Sequence, residues 1–96
     1  LYYFGMTAQI KRVIDRFYAV NSKLRSKSKK AFLISAGSDE DDWAMAGIKT
    51  HFQSMCKYLK WEPAGNLLVL GAAKREDVEG TLYSREAKVL GMESFY

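Results

Sequence analysis

The sequence predicts an α/β fold with parallel strands, and two observations carry this prediction. Two continuous apolar runs, 31–37 and 66–72, lack the alternation of a half-exposed strand and are typical of parallel strands that are covered on both faces. Segments in which apolar residues recur at helical spacing precede, separate and follow these runs. The predicted order is therefore helix, strand, helix, strand, helix, with a right-handed crossover between the strands.

The size and composition of the chain indicate one domain, which we place over residues 1–96. Of its 96 residues, 48% are hydrophobic and 27% are charged, which is ordinary for a folded protein. The longest apolar run, 67–73, is too short to span a bilayer, and no secretory leader is present, so we expect no membrane partner. The single cysteine, Cys56, cannot form an internal disulfide, which fits a cytoplasmic location. Because the chain starts at Leu1 inside a segment that looks structured, we expect it to be trimmed or part of a longer chain.

The formal net charge of +4 raises the question of nucleic-acid binding. The basic excess is concentrated in residues 23–30, a serine-rich stretch without any aromatic residue. Base stacking needs exposed rings among the charges. We therefore predict a solvated loop in this stretch and no nucleic-acid partner.

The first helix follows an aromatic segment, Leu1–Met6, in which Gly5 permits a backbone conformation that a Cβ would resist. An aromatic loop that leads into a helix N-terminus is typical of the edge of a ligand pocket, but rings that cover the core are an equal alternative. Thr7 is the predicted N-cap, Lys11 and Asp15 are spaced to pair, and the helix is expected to end near residues 20–21. Its predicted apolar face consists of Ile10, Val13, Ile14, Phe17 and Tyr18.

The first strand ends in the small residues Ser35, Ala36, Gly37 and Ser38, which indicate a second pocket edge because ligands bind at the carboxyl ends of parallel strands. The acids at 39–42 are predicted helix caps and first-turn charges rather than a metal site, since they lack the ligand spacing of a calcium loop. We place the buried stripe of the next helix at Trp43, Ile48, Phe52, Met55, Cys56 and Leu59.

The remaining elements are predicted as a turn over 61–65, the second strand, a loop over 77–81 and a last helix. We expect Ser84 to cap that helix and Ala87, Leu90 and Phe95 to face inward.

The sequence contains no motif that would carry catalysis by itself. One histidine without a paired nucleophile cannot form a triad, and Cys-X-X-Cys and both glycine-rich phosphate motifs are absent. We therefore predict no catalytic side chain and no metal ligand. An enzyme built on this chain would need a cofactor to carry its chemistry.

The segment Tyr2–Lys11 together with Ile14–Phe17 resembles a motif of the flavodoxin-like NAD(P)H-dependent FMN reductases. Later segments of the chain, 30–37, 56–62, 66–71 and 77–81, agree with that family in order, so the resemblance covers nearly the whole chain. It implies a partial flavodoxin-like three-layer fold from which the N-terminal strands and the phosphate loop are missing. The implied activity is oxidation of NAD(P)H through bound FMN, with a small molecule as electron acceptor. The residues implied to border FMN are Tyr2, Tyr3, Phe4, Gly5, Met6, Ala36, Gly37 and Ser38.

The absence of the phosphate loop suggests an alternative function. Each hydrogen bond to a charged group contributes about 1.5–3 kcal/mol, so the loss of three such donors would weaken FMN binding by several orders of magnitude. Two strands also leave an unpaired sheet edge. We therefore expect either that an N-terminal half has been lost or that a homo-oligomer, most simply a dimer, restores the sheet. The alternative function is a flavodoxin-like dimerisation module that no longer binds FMN and catalyses nothing.

Overall fold

The computed structural model describes residues 1–73 and 82–95, and it has a mixed α/β architecture. Two parallel strands pair side by side, and helices flank them in sequence, which confirms the predicted α/β class and the parallel strands. The predicted loop at 77–81 and the side chain of Phe95 lie outside the described part. The elements are α1 (Ala8–Asp15), a 3-10 turn (Arg16–Val20), α2 (Asn21–Ser26), β1 (Lys30–Ala36), a 3-10 turn (Asp42–Met45), α3 (Ala46–Leu59), β2 (Glu62–Val69) and α4 (Leu82–Phe95).

Helix α1 begins as predicted but is less buried than predicted. The Thr7 hydroxyl accepts a hydrogen bond from the Ile10 N–H at 3.2 Å, which satisfies one of the free donors of the first turn. Lys11 and Asp15 form the expected surface ion pair. However, Ile10 and Val13 remain 52% and 57% exposed, because no described element covers this face of the helix.

Helix α2 occupies a stretch that the sequence predicted as a polar connection. The chain tightens into the 3-10 turn after Asp15 and then forms this second short helix. Partners far away in sequence hold it: Arg25 Nε donates to the Tyr58 carbonyl at 2.9 Å, and Trp61 Nε1 donates to the Leu24 carbonyl at 3.2 Å. The Arg25 guanidinium also lies 4.8 Å from the centre of the Tyr58 ring. Tertiary contacts therefore override the local preference for a loop.

The second strand begins at Glu62, four residues before the predicted start, so the predicted turn at 61–65 is wrong. The Glu62 N–H donates to the Lys29 carbonyl at 2.7 Å, which opens the ladder. Pro63 is tolerated because alternate residues of a strand bond to opposite sides, and its missing N–H falls on the side away from β1. A register shift between Ala31 and Phe32 takes up one extra residue of β2, after which Ala36 pairs with Val69.

The core lies between α3 and the sheet. Helix α3 ends at Lys60, which adopts the left-handed conformation (φ 60°) and donates its N–H to the Cys56 carbonyl. The acidic run supplies the predicted first-turn charge at Asp42, but the predicted cap is wrong. Asp41 makes no side-chain cap bond, and Asp39 Oδ1 accepts from the Asp41 N–H instead. The buried apolar side chains among the described residues are Ala44, Met45, Ile48, Cys56, Leu59, Leu67 and Val69.

Helix α4 packs against β2. It begins at Leu82, so Ser84 lies in its first turn and not before it, as a cap would. Ala87 is exposed, contrary to the prediction, whereas Leu90 is half-buried against the backbone of Gly65. Within the described ranges, no helix is both long and apolar enough to cross a membrane.

Candidate functional site

The aromatic segment at the start of the chain folds into a tight two-residue turn. The Tyr2 N–H donates to the Gly5 carbonyl at 3.0 Å, and the Gly5 N–H donates back to the Tyr2 carbonyl at 3.1 Å. Tyr3 and Phe4 occupy the two central positions with φ of 46° and 66°, a conformation that usually selects asparagine and glycine. The left-handed backbone lies at Tyr3 and Phe4 and not at Gly5, the residue that the sequence marked as free to adopt an unusual conformation. Backbone strain of this kind clusters at functional sites.

The turn presents its rings to solvent and to one tryptophan. Tyr3 is fully exposed, and Phe4 packs against Trp43 with ring centres 5.1 Å apart and planes inclined by 39°. Trp43 is 61% exposed, so its predicted place in the buried stripe is wrong. Sequence reasoning missed Trp43 as a site residue because its partner is nearly forty positions away.

Gly47, in the first turn of α3, allows the aromatic turn to approach that helix. A Cβ at this position would lie 3.2 Å from the Phe4 carbonyl oxygen, which is tighter than ordinary van der Waals contact. Glycine at position 47 therefore lets the turn pack this closely, a role that nothing in the local sequence signalled.

Four of the eight predicted site residues meet at one cavity of about 260 Å³. Tyr3 and Phe4 line it from the turn, while Gly37 and Ser38 line it from the carboxyl end of β1. The other residues that line this cavity, which we call the turn cavity, are Leu1, Asp39, Ala44 and Met45.

The remaining predicted site residues do not share the turn cavity. Gly5, Met6 and Ala36 line a larger apolar cavity of about 510 Å³ between α1, β1 and α3. Tyr2 lines neither cavity and is 71% exposed. The two pocket edges predicted from sequence are therefore brought together in part.

The turn cavity suits a flat uncharged ring better than a phosphate. Asp39 is its charged lining residue, three further acids follow at 40–42, and neither lysine nor arginine lines it. Phe4 offers an aromatic ring, whereas the Gly37 N–H and carbonyl already bond to Val69 and Ala72. The residues present thus fit the isoalloxazine ring of FMN and do not fit its phosphate, which needs cationic or N–H donors.

Side chains with catalytic chemistry are placed elsewhere. Cys56 is buried, and burial raises the pKa of its thiol, which keeps it in the unreactive neutral form. His51 is half-buried beside another cavity, of about 330 Å³, together with Tyr58 and Asn21. Among residues 1–73 and 82–95, no group of three His, Cys, Asp or Glu side chains is arranged to hold a metal.

Comparison with known proteins found no match to this chain among family models, curated proteins or solved structures.

Proposed function

We propose that this chain is the C-terminal part of a flavodoxin-like, FMN-dependent NAD(P)H oxidoreductase, and that the turn cavity holds the isoalloxazine ring. The observation that carries the proposal is the meeting of Tyr3 and Phe4 with Gly37 and Ser38 around one cavity. Its position at the carboxyl end of β1 supports the proposal, because ligands of open parallel sheets bind there. The resemblance of Tyr2–Lys11 to the FMN reductase motif is the second support.

The side chains around the cavity would bind and orient the ring. Phe4, which packs against Trp43, would offer one face for stacking, and Gly37 and Ser38 would border the ring with small side chains. Bound FMN would supply the redox chemistry, accepting a hydride from NAD(P)H and passing electrons to a small-molecule acceptor. We assign no proton transfer to a side chain of this cavity.

The absence of lysine and arginine from the cavity lining leads to a distinctive expectation for ligand preference. A phosphate that gains no charge-assisted hydrogen bond adds nothing to affinity, and Asp39 repels it. Riboflavin should therefore bind at least as tightly as FMN. A flavoprotein whose lining residues held the phosphate would prefer FMN strongly.

Fluorescence titration of the protein with riboflavin and with FMN tests the proposal. Stacking on an aromatic ring contributes about 0.5–1.5 kcal/mol, so Phe4→Ala should weaken riboflavin binding roughly two- to tenfold. Tyr18→Ala is the matched control, since Tyr18 is an 83% exposed aromatic outside the lining of the turn cavity, and it should leave the affinity unchanged. If neither riboflavin nor FMN binds at roughly 100 μM, the proposal is refuted. It is also refuted if the two substitutions weaken riboflavin binding equally.

The alternative function, a dimerisation module without cofactor, is favoured by the acidic lining of the turn cavity. It predicts that neither flavin binds and that NADH and NADPH are not oxidised in the presence of added flavin and ferricyanide. Flavin binding at the turn cavity contradicts this alternative.

A further inference from the structure

The fold brings aromatic rings to the basic segment of the chain. Residues 16–38 contain six lysines and arginines and no acid, and the stretch 23–30 within them contains no aromatic residue. Tyr18, which precedes this stretch, is 83% exposed, and Tyr58 of α3 is more than half exposed. The Arg25 guanidinium lies 4.8 Å from the centre of the Tyr58 ring. The tertiary structure therefore supplies exposed rings that the basic stretch itself lacks.

Cations from a second segment join those of α2. Residues 43–61, which contain α3, include three lysines and no acid. Two of these, Lys57 and Lys60, flank Tyr58 at the end of α3 and are exposed. Helix α2 packs against this end of α3 through the bond from Arg25 Nε to the Tyr58 carbonyl at 2.9 Å. The exposed cations that meet here, which we call the basic surface, are Lys23, Arg25, Lys27, Lys57 and Lys60.

A cavity of about 330 Å³, which we call the helix cavity, opens beside the basic surface, between α3 and the 3-10 turn that follows α1. Tyr18, Tyr58 and His51 line it with flat rings, and Asn21, the first residue of α2, lines it with an amide. Asn21 Nδ2 donates to the Tyr58 hydroxyl at 2.5 Å, which uses one of the two N–H donors of the amide. Aromatic rings stack on unpaired bases, and an amide can pair with the edge of a base. Ligand pockets measure about 300–1,000 Å³, so a cavity at the small end of this range suits a single base.

Two acids lie near these residues. Asp15 lines the helix cavity, but its charge is balanced by the ion pair with Lys11. Glu62 begins β2, two positions after Lys60. The five cations of the basic surface outweigh this one carboxylate, so the surface keeps a net positive charge and is complementary to a polyanion.

We propose that the helix cavity and the basic surface together bind single-stranded nucleic acid. One base stacks on Tyr18 in the cavity, while the exposed cations of α2 and α3 neutralise the neighbouring phosphates. A duplex fits this arrangement less well, because the faces of its bases are covered by one another. The proposal replaces the expectation of no nucleic-acid partner, which was based on the lack of rings within 23–30. It does not depend on flavin binding at the turn cavity.

The composition of the surface sets the expected strength of binding and its salt dependence. Contacts of this kind, which are independent of base sequence, give dissociation constants of about 1–100 μM at physiological salt. Each phosphate of a single strand that is neutralised adds about 0.7 to the slope of log K against log salt, so about four contacts predict a slope of about −3. Removal of a ring that stacks on a base weakens binding roughly 5- to 150-fold.

Fluorescence anisotropy of a labelled oligothymidine of about 12 nucleotides, titrated with the full chain at several salt concentrations, tests the proposal. Tyr18→Ala should weaken binding roughly 5- to 150-fold. Tyr2→Ala is the matched control, because Tyr2 is also an exposed tyrosine but does not line the helix cavity, and it should leave the affinity unchanged. No binding at roughly 100 μM protein in about 50 mM salt, or equal effects of the two substitutions, overturns the proposal.

A pair of lysine substitutions separates the basic surface from the overall charge of the protein. Lys57 and Lys49 are both exposed on α3, about two turns apart, and each change to glutamine removes one positive charge. Lys57→Gln should reduce the steepness of the salt dependence by about 0.7, whereas Lys49→Gln should leave it unchanged. Equal changes would mean that overall charge drives the binding, and they overturn the proposal.

Two other polyanions serve as competing ligands: a DNA duplex that contains the same thymidine strand, and vesicles that contain phosphatidylserine. Tyr18→Ala should weaken binding of the single strand and leave binding of the duplex unchanged, because the duplex offers no unpaired base. Equal losses for single strand and duplex overturn the proposal. Binding to the vesicles without binding to the oligonucleotide also overturns it.

Discussion

Replacing Tyr3 by asparagine should stabilise the protein. Tyr3 holds φ of 46° at the first central position of a two-residue turn. In this conformation the close contact between the tyrosine Cβ and the backbone destabilises the folded state. Its side chain is fully exposed, so truncation sacrifices no burial. Left-handed conformation costs an ordinary residue about 1–2 kcal/mol, and asparagine recovers part of this through local hydrogen bonds. We expect Tyr3→Asn to raise the free energy of unfolding by about 1 kcal/mol, which corresponds to about 4–8 °C in Tm for a domain of this size.

Urea and thermal unfolding, followed by circular dichroism at one fixed protein concentration, measure this change. Tyr2→Asn is the control, because Tyr2 is also exposed and lies in the same turn but is not left-handed. Its effect should stay within about 0.5 kcal/mol. If Tyr3→Asn is neutral or destabilising relative to Tyr2→Asn, the turn does not store the strain that we assign to it. If the ring of Tyr3 serves the flavin, the same variant should gain stability and lose riboflavin affinity together.

Three further substitutions or labels test other parts of the fold. Lys60→Gly should raise the free energy of unfolding by about 1 kcal/mol in urea titrations, because Lys60 ends α3 in the left-handed conformation, whereas Lys57→Gly inside the helix should lower it by a similar amount. Thr7→Ala should lower this free energy by about 1 kcal/mol through loss of the bond to the Ile10 N–H, and Thr7→Ser should retain most of it; equal losses would mean that the cap contributes nothing. Because burial raises the pKa of the Cys56 thiol, the folded state favours the neutral form and loses stability as the pH rises past the ordinary thiol pKa. Mass spectrometry should accordingly find iodoacetamide labelling of Cys56 at about pH 8 only when urea unfolds the chain, and rapid labelling without urea would contradict the buried position.

Local chemistry was sufficient to predict some elements. The Thr7 cap, the pair of Lys11 and Asp15 and the two strands depend on neighbours within a few positions or on continuous apolar runs, and each is found. Helix α2 could not be predicted, because contacts from Tyr58 and Trp61 hold it across more than thirty positions.

The candidate site was likewise predictable from the sequence only in part. Sequence reasoning identified both edges of the turn cavity, because aromatic and small residues mark them locally. It marked Gly5 as the residue free to adopt an unusual backbone conformation, but the pairing of Tyr2 with Gly5 puts Tyr3 and Phe4 at the centre of the turn. The roles of Trp43 and Gly47 follow from how the turn packs on α3, and no pattern within the aromatic segment contains that information.

The bond from the Leu1 amino group to the Ala36 carbonyl has a practical consequence for handling the protein. It fixes the direction in which the backbone reaches Leu1. Residues of a purification tag fused to Leu1 would therefore run along the side of β1 that faces away from β2. Such a tag can add itself to the sheet as an extra parallel strand. An oligomeric state measured with the tag on Leu1 would describe the tagged molecule and not the chain.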